Sequence, residues 1–273
     1  MKTNILLAAF TLLLIVPNFL DWDINDRETY NHKERYFPAL QAVTNMNSLE
    51  LYIDQEAAKR GIRPADPEYP LLVSYTISCK FFHGFSHWTL AQNWIAAMGQ
   101  KITGIGLACK VQPEAIMKDN SAGCSQQVLV MMEILKRKQI NYRKVGFPHH
   151  YTLLAESAGK WYYFDPDMEP AMSLSQRAYS SWEGKAGNLK PFYAKKATLS
   201  EIDFHFGSNT QMATLGPINE IPAQNLRFFQ NSTALLSKIL FLFPLLMLYH
   251  RTRFFPAIEK PSLEARNFKL IPA

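Results

Sequence analysis

A thiol, an imidazole and a carboxylate follow one another through the middle of the chain, at Cys124, His150 and Asp165. In that order they are the components of a cysteine nucleophile, its general base and the group that orients the base. Cys124 follows Gly123 and opens an apolar-periodic segment, His150 comes after a short basic link, and Asp165 closes the aromatic run Lys160-Trp161-Tyr162-Tyr163-Phe164. Brought together, the three would perform acyl transfer. The thiolate attacks a carboxamide or peptide carbonyl, the imidazole protonates the leaving amine, and water or an amine resolves the thioester. Two neighbours compete for these roles. His149 would point to the opposite strand face from His150. Asp167, beyond Pro166, reads as a solvated turn residue.

The elements that must position these groups are legible nearby. Cys124, Val128, Met131 and Leu135 recur at i, i+4, i+7 and i+11, one face of a helix, with Gln126, Gln127, Glu133 and Arg137 off that stripe. Lys136-Arg137-Lys138 suit the negative end of the helix dipole, and the positive end at Cys124 favours a thiolate. Residues 140–147 read as a strand, and 151–156 and 161–164 as two more joined by the turn Ser157-Ala158-Gly159-Lys160. That hairpin sets His150 and Asp165 roughly opposite each other at one end of the ladder. Upstream, Leu49, Ile53, Ala57 and Ala58 predict a helix that stops at Gly61, and 64–70 reads as a loop. Residues 75–98 form an aromatic-rich segment, helical in its second half. Beyond Pro166 and Pro170 the chain reads as irregular, with Trp182, Phe192, Tyr193 and Phe204 as core anchors. His83 and His87 have the i, i+4 spacing of metal ligands but no third ligand nearby, so no metal and no cofactor are expected.

The stretch from about Pro113 to Pro166 resembles the core of the transglutaminase-like superfamily, a branch of the papain-like cysteine enzymes. The matching features are Ser121-Ala122-Gly123-Cys124-Ser125 opening a helix, the strand Ile140-Asn141-Tyr142-Arg143-Lys144-Val145, and His150 to Glu156 followed by Gly159-Lys160-Trp161-Tyr162-Tyr163-Phe164-Asp165-Pro166. The resemblance covers about a fifth of the chain and rests on order and spacing. It implies an α+β fold with the nucleophile helix packed on an antiparallel sheet, with Cys124 as nucleophile, His150 as base and Asp165 as orienter. The family commonly has Ala-Trp after its histidine, where this chain has Tyr151-Thr152. An oxyanion donor upstream of Cys124 is also required; Gln92, Asn93 and Trp94 are the candidates. A domain lacking that donor would be a catalytically silent binding or assembly module of the same fold.

The 273 residues carry a net charge of +6 and are 48% apolar and 19% charged, a globular composition. From His250 onward Arg251, Arg253, Lys260, Arg266 and Lys269 oppose only Glu259 and Glu264, so half of the net charge sits in the tail. No basic helix with interleaved aromatics occurs elsewhere, and nucleic acid is set aside as a partner. Two apolar runs bracket the chain, residues 5–16, extendable to Leu20, and residues 234–249. Each is read as a membrane segment, although a span wants about 20 residues. The first is read as an uncleaved anchor rather than a signal peptide, since no small-residue cleavage site follows it. Lys238 is tolerable near a bilayer edge, where it snorkels. Lys2 before the first run and Arg251 and Arg253 after the second place both termini on the cytoplasmic side and residues 21–231 on the other. The expected organisation is an anchor or signal segment (1–20), a helical extension (21–70), a transglutaminase-like domain (71–230, core 107–170), a membrane helix (231–250) and a basic tail (251–273). A protein or peptide substrate is the expected partner besides the membrane. In an oxidising compartment Cys79 and Cys109 can pair, leaving Cys124 as the odd thiol; as small apolar core residues they need not.

Overall fold

Capping side chains start two of the large core helices, at Asn45 and at Thr89. The structure, a computed structural model, describes residues 2–25, 30, 34 and 36–254. After the N-terminal α1 (Lys2–Ile15), α2 (Met46–Lys59) begins where Asn45 Oδ1 accepts the Ser48 amide at 2.9 Å. Its stripe of Met46, Leu49, Ile53 and Ala57 is buried, and Gly61 takes the left-handed conformation that ends it. The helix is therefore part of the core rather than an extension beside it. Next comes α3 (Glu68–Lys80), buried along almost its whole length, where a loop and the start of an aromatic segment were expected. Pro70 misleads there: it sits in the first turn, where a missing amide donor sacrifices no helical hydrogen bond. α4 (Leu90–Thr103) is opened by a Thr89–Gln92 capping box and closed by Gly104 at φ +70°. A single turn, α5 (Pro113–Ile116), precedes α6 (Cys124–Arg137).

Three strands follow the prediction closely, and a fourth joins them. β1 (Tyr142–Phe147), β2 (His150–Ser157) and β3 (Lys160–Phe164) form a meander, and β4 (Thr214–Ile218) joins the free edge of β1. The antiparallel sheet has the order β3-β2-β1-β4. Ala158 and Gly159 both have positive φ in the two-residue β2–β3 turn, as the twist of a tight hairpin requires. The register pairs Leu153 with Phe164, so Thr152 lies level with Asp165 and His150 is its diagonal neighbour on the same face. Such diagonal pairs remain within reach of long side chains.

The sheet separates two apolar clusters. On one side Leu153, Ala155 and Phe164 pack with α2, α3 and the Val128, Met131 and Leu135 stripe of α6. Full burial of each such side chain contributes about 1.5–3 kcal/mol. On the other side Val145, Leu154 and Tyr163 pack with Trp182, Tyr193, Ile202 and Phe206. These come from a region expected to be irregular, which instead forms the short helices α7 (Leu174–Arg177), α8 (Tyr179–Trp182), α9 (Ala186–Leu189) and α10 (Leu199–Phe206). Trp182 and Tyr193 are buried as expected and Phe192 partly so, but Phe204 is 59% exposed. α10 turns Ile202 and Phe206 inward at i, i+4, and Phe204 falls on its outer face.

The terminal segments form a separate layer. α11 (Gln224–Ile239) and α12 (Leu242–Phe254) close the described chain, and α1 packs along α12. Together Gln224–Arg253 is long and apolar enough to cross a membrane, and only 17% of its most apolar window is buried within the molecule. The apolar helix at Thr3–Phe19 is shorter. Expected to begin at 231, the C-terminal helix instead starts at Gln224, and its first half docks on α4 through buried Gln230, Thr233 and Ser237. Lys238 Nζ donates to Asn18 Oδ1 at 3.0 Å and to the Ala91 carbonyl, at the junction of the two layers. Of the basic tail expected over 251–273, positions 255–273 lie outside the described residues, as does a small part of the 21–70 extension.

Candidate active site

Cys124 is the first residue of α6, entered through Gly123. A side chain at Gly123 would meet the Phe85 ring, since a Cβ there would lie 2.8 Å from Cε1. The entry is held by Gln126, whose Oε1 accepts the Gly123 and Ser86 amides at 3.1 and 2.9 Å and whose Nε2 donates to the Ser86 and Lys110 carbonyls. Phe82 and Ser121 add a parallel bridge, so the 82–88 loop is latched along the approach to the cysteine. Behind it Lys110, almost fully buried, pairs with Asp119 at 2.5 Å.

His150 and Asp165, brought to one face by the hairpin, are completely buried, with Nε2 of the ring 2.7 Å from Asp165 Oδ2. The same oxygen accepts the Tyr193 hydroxyl at 2.7 Å, and Oδ1 accepts the Asp167 and Met168 amides at 3.2 and 3.1 Å. Burial pushes the Asp165 carboxyl up, but the His150 charge and these hydrogen bonds outweigh it and hold the group below the usual carboxylate range. Burial likewise opposes protonation of His150. Asp165, with a contribution from Cys124, overcomes that penalty and raises the imidazole well above its ordinary value. Nε2 being committed to Asp165, Nδ1 is the nitrogen left for the thiol; it has no hydrogen-bond partner among the described residues. Cys124 Sγ, a ring nitrogen of His150 and a carboxylate oxygen of Asp167 all lie within 4.8 Å of one another.

The structure thus brings Cys124, His150 and Asp165 into one constellation, where α6 from one apolar cluster meets the sheet face of the other. His149 does not compete: it is exposed and stacks on Phe204 with ring centroids 4.3 Å apart. Asp167 is not the solvated turn residue expected. Its side chain is 5% exposed and accepts Gln127 Nε2 at 2.8 Å, with His83 Nδ1 at 3.0 Å. It faces the start of α6, where Gln127 holds it. Gln126 and Gln127, expected off the buried stripe, are both buried, because the 82–88 loop covers one and the 165–168 turn the other. A pair of glutamines beside a glycine-entered helix start was the available signal.

The oxyanion candidates are placed elsewhere. Gln92 Oε1 caps α4 through the Thr89 amide, Asn93 Nδ2 donates to the Gln230 carbonyl and Thr233 Oγ1, and Trp94 Nε1 donates to the Ser237 carbonyl. Gln92 serves the start of its own helix, and Asn93 and Trp94 serve the α4–α11 junction. His83 and His87 also part company: His87 Nδ1 lies 3.6 Å from Asp23 Oδ2, and its strand bridge is to Cys109. Burial lowers the His87 pKa, but Asp23 and Cys109 more than offset it and raise the group to about 9. No disulfide joins Cys79 and Cys109.

The 165–178 segment is fixed by a buried ion pair, Arg177 Nη2 to Glu169 Oε1 at 2.6 Å, with Ser74 Oγ on the other Glu169 oxygen and Arg177 Nη1 on the Tyr163 carbonyl. These contacts lock the turn that carries Asp165 and Asp167. A thiol at a helix start, beside a buried imidazole that is itself hydrogen-bonded to a buried carboxylate, can perform nucleophilic chemistry with general acid–base assistance. Comparison with protein-family models, curated proteins and solved structures finds no match to this chain.

Proposed function

We propose that this chain is a cysteine-dependent acyl-transfer enzyme of transglutaminase-like organisation, acting on amide or peptide bonds of a protein or peptide substrate, with membrane-embedded terminal helices. The observation that carries this reading is the buried His150, bonded through Nε2 to Asp165 and offering Nδ1 to Cys124 at the start of α6. Cys124 is the nucleophile. His150 takes the thiol proton at Nδ1 and returns it to the leaving amine, and Asp165 fixes the ring's tautomer and stabilises its charged form. The amides of Cys124 and Ser125, which as first-turn donors have no carbonyl partner inside the helix, are the donors for the oxyanion. Water resolves the thioester in hydrolysis or deamidation; an amine resolves it in crosslinking.

Incubating the detergent-solubilised full chain with glutamine-containing peptides and a primary amine tests this. Mass spectrometry should find deamidated, cleaved or amine-conjugated peptide with the wild type and none with Cys124→Ala. Equal product from both proteins would contradict the proposal. A Cys124 that is also chemically inert would favour the silent binding-module reading instead.

A further inference from the structure

We infer that Cys124, His150 and Asp167 form a binding site for a divalent cation of the zinc class, and that such an ion reversibly blocks the nucleophile. The blocking, though not the binding, rests on the acyl-transfer reading above. One donor atom from each residue lies within 4.8 Å of the other two. Thiolate sulfur, imidazole nitrogen and carboxylate oxygen together suit a borderline-soft ion and not Mg2+ or Ca2+, which take oxygen sets. Tetrahedral Zn2+ has bonds of about 2.0–2.3 Å, so its ligand atoms stand roughly 3.3–3.8 Å apart, a modest closing of the present cluster.

Three features point to a ligand there. His150 Nδ1 is buried and has no hydrogen-bond partner among the described residues. Its other nitrogen donates to Asp165, the carboxylate–histidine arrangement that fixes a ring for metal coordination. Asp167 is a second carboxylate that the acyl-transfer steps do not use, yet it is anchored beside the thiol by His83 and Gln127. A thiolate and a carboxylate this close repel each other, and an interposed cation converts the repulsion into attraction. Binding releases to solvent the one proton that Cys124 and His150 Nδ1 share, forms sulfur–metal and nitrogen–metal bonds in its place, and so occupies both the nucleophile and its base. Three protein ligands leave the fourth position to water.

The test uses the detergent-solubilised full chain. Titration with Co2+, a spectroscopic stand-in for Zn2+, should give one ion per chain and a sulfur-to-metal charge-transfer band that Cys124→Ala abolishes. Buffered Zn2+, but not Mg2+, should slow iodoacetamide alkylation of Cys124 at least about tenfold, and Asp167→Asn should raise the Zn2+ concentration needed by about 10–100-fold. Asp167→Glu, which keeps a carboxylate, should recover part of that affinity and controls for misfolding. Absence of the charge-transfer band, or unchanged Zn2+ protection in Asp167→Asn, overturns the site. If metal-free Cys124 proves unreactive near neutral pH, the catalytic reading and the blocking role both fall, while the Co2+ titration still decides the binding.

Discussion

The Cys124 site and the terminal helices follow the same physics to opposite ends. His150 and Asp165 are both fully buried, and the carboxylate accepts four hydrogen bonds. Along α1 and α12 the side chains are apolar and face outward, with Leu12, Leu13, Phe243 and Leu246 among the exposed ones. A buried carboxylate is stable only when its oxygens are hydrogen-bonded, and an exposed apolar surface of this extent calls for a second solvent or a partner. The α4–α11 junction lies between the two. It uses Asn93, Trp94, Gln230 and Lys238 to join a polar interior to an apolar surface.

The largest effect should come from the buried side of that comparison. Asp165→Asn leaves a neutral group of the same shape, and acyl-substrate turnover should fall about 10^3–10^4-fold, as loss of the orienting carboxylate does elsewhere. Thermal melting tests the same pair. His150, with its pKa raised on folding, contributes stability in full below its unfolded value of about 6.5 and loses it as pH rises through the raised value. Asp165, with its pKa lowered, contributes above about 3.9 and loses it as pH falls through the lowered value. The melting-temperature gap between wild type and Asp165→Asn should therefore be widest between about pH 4 and 6.5. A gap that widens toward alkaline pH would contradict the assigned charges.

On the exposed side, Leu245→Asp should cost membrane insertion about 2.5–3.5 kcal/mol if α12 lies at bilayer depth, seen as a shift from the membrane to the soluble fraction. An unchanged distribution with unchanged solubility would mean that protein, not lipid, covers this face. At the start of α4, just before the junction, the smallest effect is expected. Gln92→Ala removes a helix cap and should cost about 0.5–1 kcal/mol of stability while leaving Cys124 reactivity intact. A many-fold loss of turnover without a stability change would return Gln92 to the oxyanion site.

Local signals carried the site well where the relevant physics is local. Helix periodicity from Cys124, the tight turn at Ala158-Gly159 and the hairpin alternation that sets His150 and Asp165 on one face are all properties of short segments. What escaped depended on distant partners. Asp167 looks like a turn residue until Gln127 and His83, contributed by a helix and a loop far apart in sequence, close over it. Asn93 and Trp94 look like an amide and an indole free for catalysis until α11, more than a hundred residues later, claims them. Pro70 reads as a loop signal because proline is equally at home in a helix's first turn, and the short helices beyond Pro170 take their conformation from packing against the sheet rather than from propensity.

The pH dependence of Cys124 alkylation by iodoacetamide, followed by peptide mass spectrometry in the wild type and in His150→Ala, tests the central claim most directly. An imidazole held protonated beside the thiol by Asp165 predicts rapid modification of wild-type Cys124 well below the ordinary thiol range of about pH 8.5, lost in His150→Ala. A cysteine that is modified only at alkaline pH, with the same profile in both proteins, would contradict it.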